Sequence, residues 1–389
     1  MKLRHSNIEH LYATASQHGR FRTAVSLHSH TLHSKEGLGF VPRYASQIPI
    51  LSSFFARERE HYFRLNGTTM DFKGWYWTPP LAVQTVFESE IERIEHQLGV
   101  QALVSVTDHD DIAPATVLKT LDYPQEIPIS VEWTVPVDHT ALHLGLHNLP
   151  PEMSESIMNE LALYTLEPKD SRFGELLSWL NNYTEVLVVL NHPLSDLNAL
   201  GIRPLKSLLM GFLSRYHEGI QALEINGYRS WGENRALIAM AEHFELPLIS
   251  GGDRHGCAPN AILNLTNAST FSEFVSEIRY DKASHVLVMP EYREDLFMRK
   301  LESVADFFRC YPEYPYGLRR WTDRVFIQLE DGVVRPLSNY WHRTVPPWVR
   351  FAMWLVGLVG SKHLQPSIRM ASARKLGLTL WKRFRAQPS

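Results

Sequence analysis

Six short segments end an apolar run on an imidazole or a carboxylate: Leu27-His28-Ser29-His30, Thr107-Asp108-His109, Val131-Glu132, Leu142-His143, Leu190-Asn191-His192-Pro193 and Gly251-Gly252-Asp253-Arg254-His255. These side chains bind zinc, manganese and iron without any cysteine. A single His-x-His is more often a surface or core pair than a ligand set. Six such endings in one chain are hard to explain separately, because buried carboxylates and imidazoles are costly unless they are paired or metal-bound. In a barrel of parallel strands, the ends of one polarity converge on one face, where active sites sit. The pattern therefore points to a polynuclear metal centre at that face.

Local chemistry adds detail. Residues i and i+2 of a strand share a side, so His28 and His30 can hold one ion together. His192 precedes Pro193, whose ring favours an extended predecessor and so fixes where the imidazole points. Gly251-Gly252 lets the backbone turn tightly before Asp253 and His255. His147 is an alternative to His143 on the same strand face.

The elements that must position these residues are legible from periodicity. Strands are expected over 22–28, 101–107, 127–132, 140–147, 185–191, 220–226 and 246–251. Helical spacing falls between them, over 81–98, 152–166, 172–182 and 232–245. Strand–helix alternation with ligands at strand ends indicates an α/β barrel.

The order of these motifs resembles that of the PHP family, named for polymerase and histidinol phosphatase, over about residues 23–256. The resemblance implies a distorted (β/α)7 TIM-like barrel, here with an insertion after the first strand and a basic C-terminal extension. It also implies two or three divalent ions (Zn, Mn or Fe) and cleavage of phosphoester bonds. Carried over residue by residue, it places His28, His30, Glu132 and Asp253 at a first metal position. Glu132 bridges to a second, completed by His143 and His192. Glu36, His109 and His255 form the third. The chain departs from the family pattern at Ser26, Lys35, Asn191 and Gly252.

The barrel is expected over 1–290, followed by a helix-and-strand extension over 291–331 and a basic tail over 332–389. Residues 37–80 form a long insertion carrying Phe40, Phe54, Phe55, Tyr62, Phe63, Trp75, Tyr76 and Trp77 with Arg43, Arg57, Arg59 and Arg64. Leaving from a ligand-bearing strand end, it is expected to stand over the site, where aromatic faces and guanidinium groups suit a phosphorylated, ring-bearing substrate. The competing reading makes these aromatics the core of a small subdomain.

Hydrophobic residues make up 44% of the 389, which is ordinary for a globular chain. Residues 1–22 are polar with no apolar core, so a cytoplasmic location is the expectation. From Gly332 onward there are ten Lys and Arg and no Asp or Glu; the whole chain carries −3, so residues 1–331 carry −13. That tail, with Trp348, Trp354 and Trp381, suits an anionic membrane surface, which would make the protein peripheral at the inner membrane face. It also suits docking on the acidic barrel, the reading that the charge of residues 1–331 favours. Charge alone supports nucleic acid.

The function expected from these residues is metal-dependent phosphoester hydrolysis. Bound metals acidify a bridging water to supply hydroxide at neutral pH and neutralise charge on the phosphoryl oxygens. Asp108 reads as a catalytic group that steadies or moves a proton beside His109. Arg254 is placed either to contact phosphate or to point away. The substrate class is a phosphorylated small molecule or a nucleotide. A nuclease or nucleotide phosphodiesterase, with the insertion stacking on bases, is one rival. A non-catalytic metal-binding or surface-docking protein is another.

Overall fold

The computed structural model describes residues 5–11, 18–39, 41–42, 49–67, 69, 72–196, 200–328, 333–341 and 345–359. Short apolar runs form buried strands in two five-stranded sheets. The first has the order β1 (Ser6–His10), β12 (Ser284–Val288), β11 (Ile262–Thr266), β2 (Thr23–Ser26) and β5 (Gln101–Val104). The second has the order β10 (Leu248–Gly251), β9 (Ala222–Asn226), β8 (Leu187–Asn191), β7 (Thr140–Leu149) and β6 (Ile129–Val137). β2, β8, β9 and β10 are buried along their whole length, which is why they read as continuous apolar runs rather than alternating ones.

The two sheets share one inner layer. Val25, Leu27 and Leu103 from one side and Leu187, Val189, Ala222 and Ile249 from the other pack together with the Phe271–Arg279 helix. Outside, the Val83–Leu98 helix buries Val83, Val86, Phe87, Ile91, Ile94 and Leu98 and stops at Gly99, whose φ of 66° closes the last turn through its N–H to the Glu95 carbonyl. Ser230 and Glu233 form a capping box at the start of the Trp231–His243 helix.

The alternation of strands and helices is as expected, but the strands are not uniformly parallel. β6 and β8 both run antiparallel to β7, while β8, β9 and β10 are parallel to one another. Only Asp138 and His139 separate β6 from β7. Two residues suffice for a hairpin, whereas a parallel neighbour needs a crossover of roughly a dozen residues. Asp138 adopts the positive φ, 49°, that such tight turns use. Continuous pairing does not close a barrel among the described residues. The sheets are instead linked by isolated parallel bridges, Ser29–Arg254 and His109–Glu132. The Gly252 N–H donates to the Leu27 carbonyl at 3.0 Å, and the Glu132 N–H to the Asp108 carbonyl at 3.1 Å. Both links fall among the predicted ligands.

The 37–80 insertion is built into a third sheet, in the order β14 (Val334–Pro336), β13 (Val325–Gln328), β4 (Tyr76–Trp77) and β3 (Glu36–Gly37). Tyr62, Phe72 and Trp75 pack against Val325, Ile327 and Leu337. Most of the described aromatics of the insertion are therefore subdomain core, and Arg57, Arg59 and Arg64 are exposed. Phe40, Arg43 and the Phe54 side chain lie outside the described residues. The division drawn near residue 332 falls between β13 and β14, which pair with each other. The Pro347–Val359 helix packs on the Leu296–Phe308 helix. Residues 360–389 lie outside the described residues, and among those described no helix is long and apolar enough to cross a membrane.

Candidate metal centre

His28 and His30 follow β2, His109 follows β5, His192 follows β8, and Asp253 and His255 follow β10. Glu132 and His143 come from within the long β6–β7 hairpin rather than from strand ends, with Glu132 opposite Gly145 and His143 opposite Thr134. Glu36 arrives on β3, anchored through its pairing with Trp77 of β4.

Glu132 lies at the centre. Its Oε2 is 3.1 Å from His28 Nε2 and 3.3 Å from the Nε2 atoms of His30 and His109. Its Oε1 is 3.2 Å from His143 Nδ1 and 3.1 Å from His192 Nε2. Asn191 Nδ2 donates to Oε1 at 2.9 Å. Asp253 Oδ1 sits 3.8 Å from His28 Nε2 and 3.7 Å from His30 Nε2. Glu36 sits 3.4 Å from His109 Nε2 and 3.1 Å from His255 Nε2.

All nine predicted ligands therefore lie in one cluster. Its ligand atoms converge in four overlapping groups: His28, His30 and Glu132; His28, His192 and Asp253; His109, Glu132 and His143; and His30, Glu36, His109 and His255. His30 and His109 each fall in two of these groups, and His192 groups with His28 and Asp253 instead of with His143, as the resemblance had it.

Backbone strain accompanies the cluster. His28, His192 and Asp253 have φ of 66°, 26° and 52°. Non-glycine residues in this region cost of order 1–3 kcal/mol and persist only where the surroundings dictate them. His192 is thus not extended, contrary to the expectation from Pro193, because its turn is fixed by the His192 N–H to Glu224 Oε1 contact at 3.2 Å and by the imidazole's approach to Glu132. Gly251 and Gly252 are not at positive φ either. They are required because a Cβ on Gly251 would collide with the Glu224 side chain, and one on Gly252 with Asn260.

The electrostatics are those of carboxylates that need cations. Burial works to raise the Glu132 pKa, but His28, His143 and His109 hold it well below the usual carboxylate range. Burial is likewise outweighed at Glu36 by His109 and His255, and at Asp253 by His192, His30 and His255. The imidazoles answer in kind. Against burial, Glu132 and Glu224 hold the His28 pKa well above its ordinary value, Glu36 and Glu132 raise His109 to about 10, and Glu36 raises His255 to about 9. Burial wins at His143, which falls to about 4. Glu132 Oε2 and the Nδ1 atoms of His109 and His143 are buried without a hydrogen-bond partner among the described residues. Protons on imidazoles occupy the role that divalent cations would take, so this donor set fits metal ions.

Two predicted catalytic residues do not face the cluster. Arg254 is 1% exposed and turned inward: its guanidinium donates to Glu90 at 2.7 Å, to Ser89 at 2.8 Å and to the carbonyls of Gly256 and Cys257. A buried guanidinium needs all its donors satisfied, and this chain supplies them behind the site. Asp108 is fully buried and accepts from Thr31 N and Thr31 Oγ1, both at 2.5 Å. It therefore positions the His30 loop, and burial raises its pKa to about 6. His147 bonds to Ser105 Oγ at 2.8 Å and belongs to no ligand group among the described residues.

Three contributors were not singled out from the sequence. Glu224 Oε2 is 2.5 Å from His28 Nδ1, and its Oε1 accepts from Asn226 Nδ2 at 2.6 Å. Ser34 Oγ donates to Glu36 at 2.6 Å, lies 3.1 Å from His30 Nδ1 and accepts from the His109 N–H. Arg229 Nη2 lies 3.3 Å from Asp253 Oδ2, and its Nε is buried without a hydrogen-bond partner among the described residues. The signal for Glu224 was present: an acid inside the apolar strand Ala-Leu-Glu-Ile-Asn. The other two sit in loops, where no periodicity marks them.

No family model matches the chain, and no curated protein does. Solved structures with a similar arrangement include a candidate metal-dependent phosphoesterase from Bifidobacterium adolescentis, 14% identical, TM-score 0.32, covering 53% of this chain and 92% of that one. An amidohydrolase from Chromobacterium violaceum with bound sulfate and no metal is 16% identical, TM-score 0.31, covering 58% and 92%. PsfC from Pseudomonas syringae is 14% identical, TM-score 0.37, covering 57% and 89%. The case for a metal centre rests on the residues themselves.

Proposed function

We propose that this protein is a metal-dependent phosphoesterase of the PHP type, holding two or three divalent ions of zinc, manganese or iron. The observation that carries the reading is Glu132: one buried carboxylate with five imidazoles within 3.3 Å of its two oxygens, three on Oε2 and two on Oε1. A carboxylate so placed is suited to bridge two ions. His28, His30 and Asp253 would complete one position, His143 and His192 the second, and Glu36, His109 and His255 a third. When bound, such ions acidify water and neutralise charge on a phosphoryl group.

The chain's own residues supply the rest. Glu224 fixes the His28 ring so that Nε2 faces the cluster. Asp108 holds Thr31 and with it the loop that carries His30. Arg229 brings a guanidinium to the Asp253 side of the centre, where a cation suits an anionic substrate. That cation favours a phosphoester over a neutral amide. The Ser29–Arg254 and His109–Glu132 bridges favour a split barrel closed at its ligand-bearing end.

The test is a substrate panel run with manganese, zinc and iron, containing phosphomonoesters, phosphodiesters, oligonucleotides and simple amides. The reading predicts chelator-sensitive hydrolysis of a phosphoester. Amide hydrolysis with no phosphoester turnover contradicts it.

A further inference from the structure

We propose that Trp77 and Asp306 are positioning residues for the third metal position, and that the Leu296–Phe308 helix and β13 act through them to decide whether a third ion is held. The inference rests on the reading of the site as a metal centre. It concerns Glu36 and His255, whose Oε1 and Nε2 stand 3.1 Å apart in the group completed by His30 and His109.

Glu36 lies on β3, a strand of only two residues. So short a strand needs neighbours to hold it. Its neighbour is β4, where Glu36 is opposite Trp77, and the Leu38 N–H donates to the Trp75 carbonyl at 2.9 Å. β4 is itself two residues long, and its other edge is β13, where Trp77 is opposite Val325. The Thr78 N–H donates to the Arg324 carbonyl at 2.9 Å. The strand that carries Glu36 is thus completed by a strand far beyond His255 in the sequence.

Trp77 also reaches the second ligand. Its indole lies against the His255 imidazole, with ring centres 5.8 Å apart at 38°, and meets Phe307 edge-on at 4.8 Å and 71°. Phe307 belongs to the Leu296–Phe308 helix, and the same helix holds the chain just after His255. Asp306, 2% exposed, accepts from the Cys257 N–H at 2.8 Å. The approach is so close that a Cβ on Gly256 would come within 2.9 Å of Ser303 Oγ and 3.1 Å of Asp306 Oδ2. Groups that fix a ligand's orientation govern how well it holds an ion. Glu132, His28, His143 and His192 come instead from the two large sheets and the turns that directly follow their strands. Loss of Trp77 or Asp306 therefore loosens ligands of one position and leaves the shared carboxylate and its imidazoles as they are.

The experiment is manganese titration of the chelator-treated full chain, with free and bound ion counted by electron paramagnetic resonance. The inference predicts two tightly held ions and a weaker third in the wild type. Trp77→Leu and Asp306→Ala should each weaken the third roughly tenfold or more, with the first two unchanged. Trp77→Phe keeps a ring against His255 and should restore much of that affinity. Asp306→Ala carries the test if circular dichroism shows Trp77→Leu misfolded. A third ion held as in the wild type by folded variants overturns the inference. Equal weakening of all three ions also overturns it, because it makes both residues general packing. Uptake of only two ions by the wild type overturns it while leaving the bridged pair standing, whereas uptake of none contradicts the metal-centre reading and this inference with it.

Discussion

His28 Nδ1 and Glu224 Oε2 stand 2.5 Å apart, both fully buried, and that contact decides which nitrogen of His28 is offered to the centre. With Nδ1 committed to Glu224, Nε2 faces Glu132 at 3.1 Å. Carboxylates that orient a ligand histidine also raise its basicity, and their loss typically costs about 10–100-fold in metal affinity or activity. Glu224→Gln should show a loss in that range, read by metal titration, with folding retained. Wild-type affinity would remove Glu224 from the site.

His143 and His147 lie on one strand and should behave oppositely. His143→Ala removes an imidazole 3.2 Å from Glu132 and should lower bound metal and activity. His147→Ala breaks the bond to Ser105 and leaves a hole in the interior, so it should lower the melting temperature while metal content stays near wild type. Elemental analysis and thermal melts of both variants distinguish the two roles.

Two arginines flank Asp253 in the fold and should likewise separate. Arg229→Ala should retain metal but raise KM for a phosphoester roughly tenfold or more, because a hydrogen bond to a charged group contributes about 1.5–3 kcal/mol. Arg254→Ala leaves Glu90 buried and unpaired, which should cost about 3–5 kcal/mol of stability. Metal loss in Arg229→Ala would make that residue a support for Asp253 instead of a substrate contact.

The metal-free protein should lose stability as pH rises. His109 and His255 have folded pKa values raised to about 10 and about 9 from 6.5. A raised pKa contributes stability that is fully present below the unfolded value and lost as pH climbs through the folded one. Melting temperature of chelator-treated protein should therefore decline from pH 6.5 toward pH 10, whereas loaded protein, whose cations do not titrate, should decline less. Parallel profiles for the two forms would contradict this.

Much of the site was legible in the sequence because ligands sit next to apolar runs whose period marks them as strands. His28, His30, His109, His192, Asp253 and His255 were found this way and share one cluster. What periodicity could not give was direction. Arg254 and Asp108 have neighbours in the cluster, yet one points to Glu90 and the other to Thr31, because side-chain orientation at a strand end depends on φ values that no spacing encodes. Sheet geometry was hidden for a related reason. A two-residue link dictated an antiparallel β6–β7 pair, but apolar runs look alike in either direction. The insertion's aromatics were ambiguous because their partners, Val325, Ile327 and Leu337, lie more than two hundred residues away.

The central claim is that Glu132 bridges two metal ions, and elemental analysis of wild-type and Glu132→Gln protein, each prepared without chelator and reconstituted with manganese or zinc, tests it most directly. The account predicts at least two ions per wild-type chain, and in the variant a loss of at least one together with a fall in hydrolysis of roughly a hundredfold or more. A wild-type protein that takes up no metal, or a Glu132→Gln protein with full metal content and wild-type turnover, would contradict it.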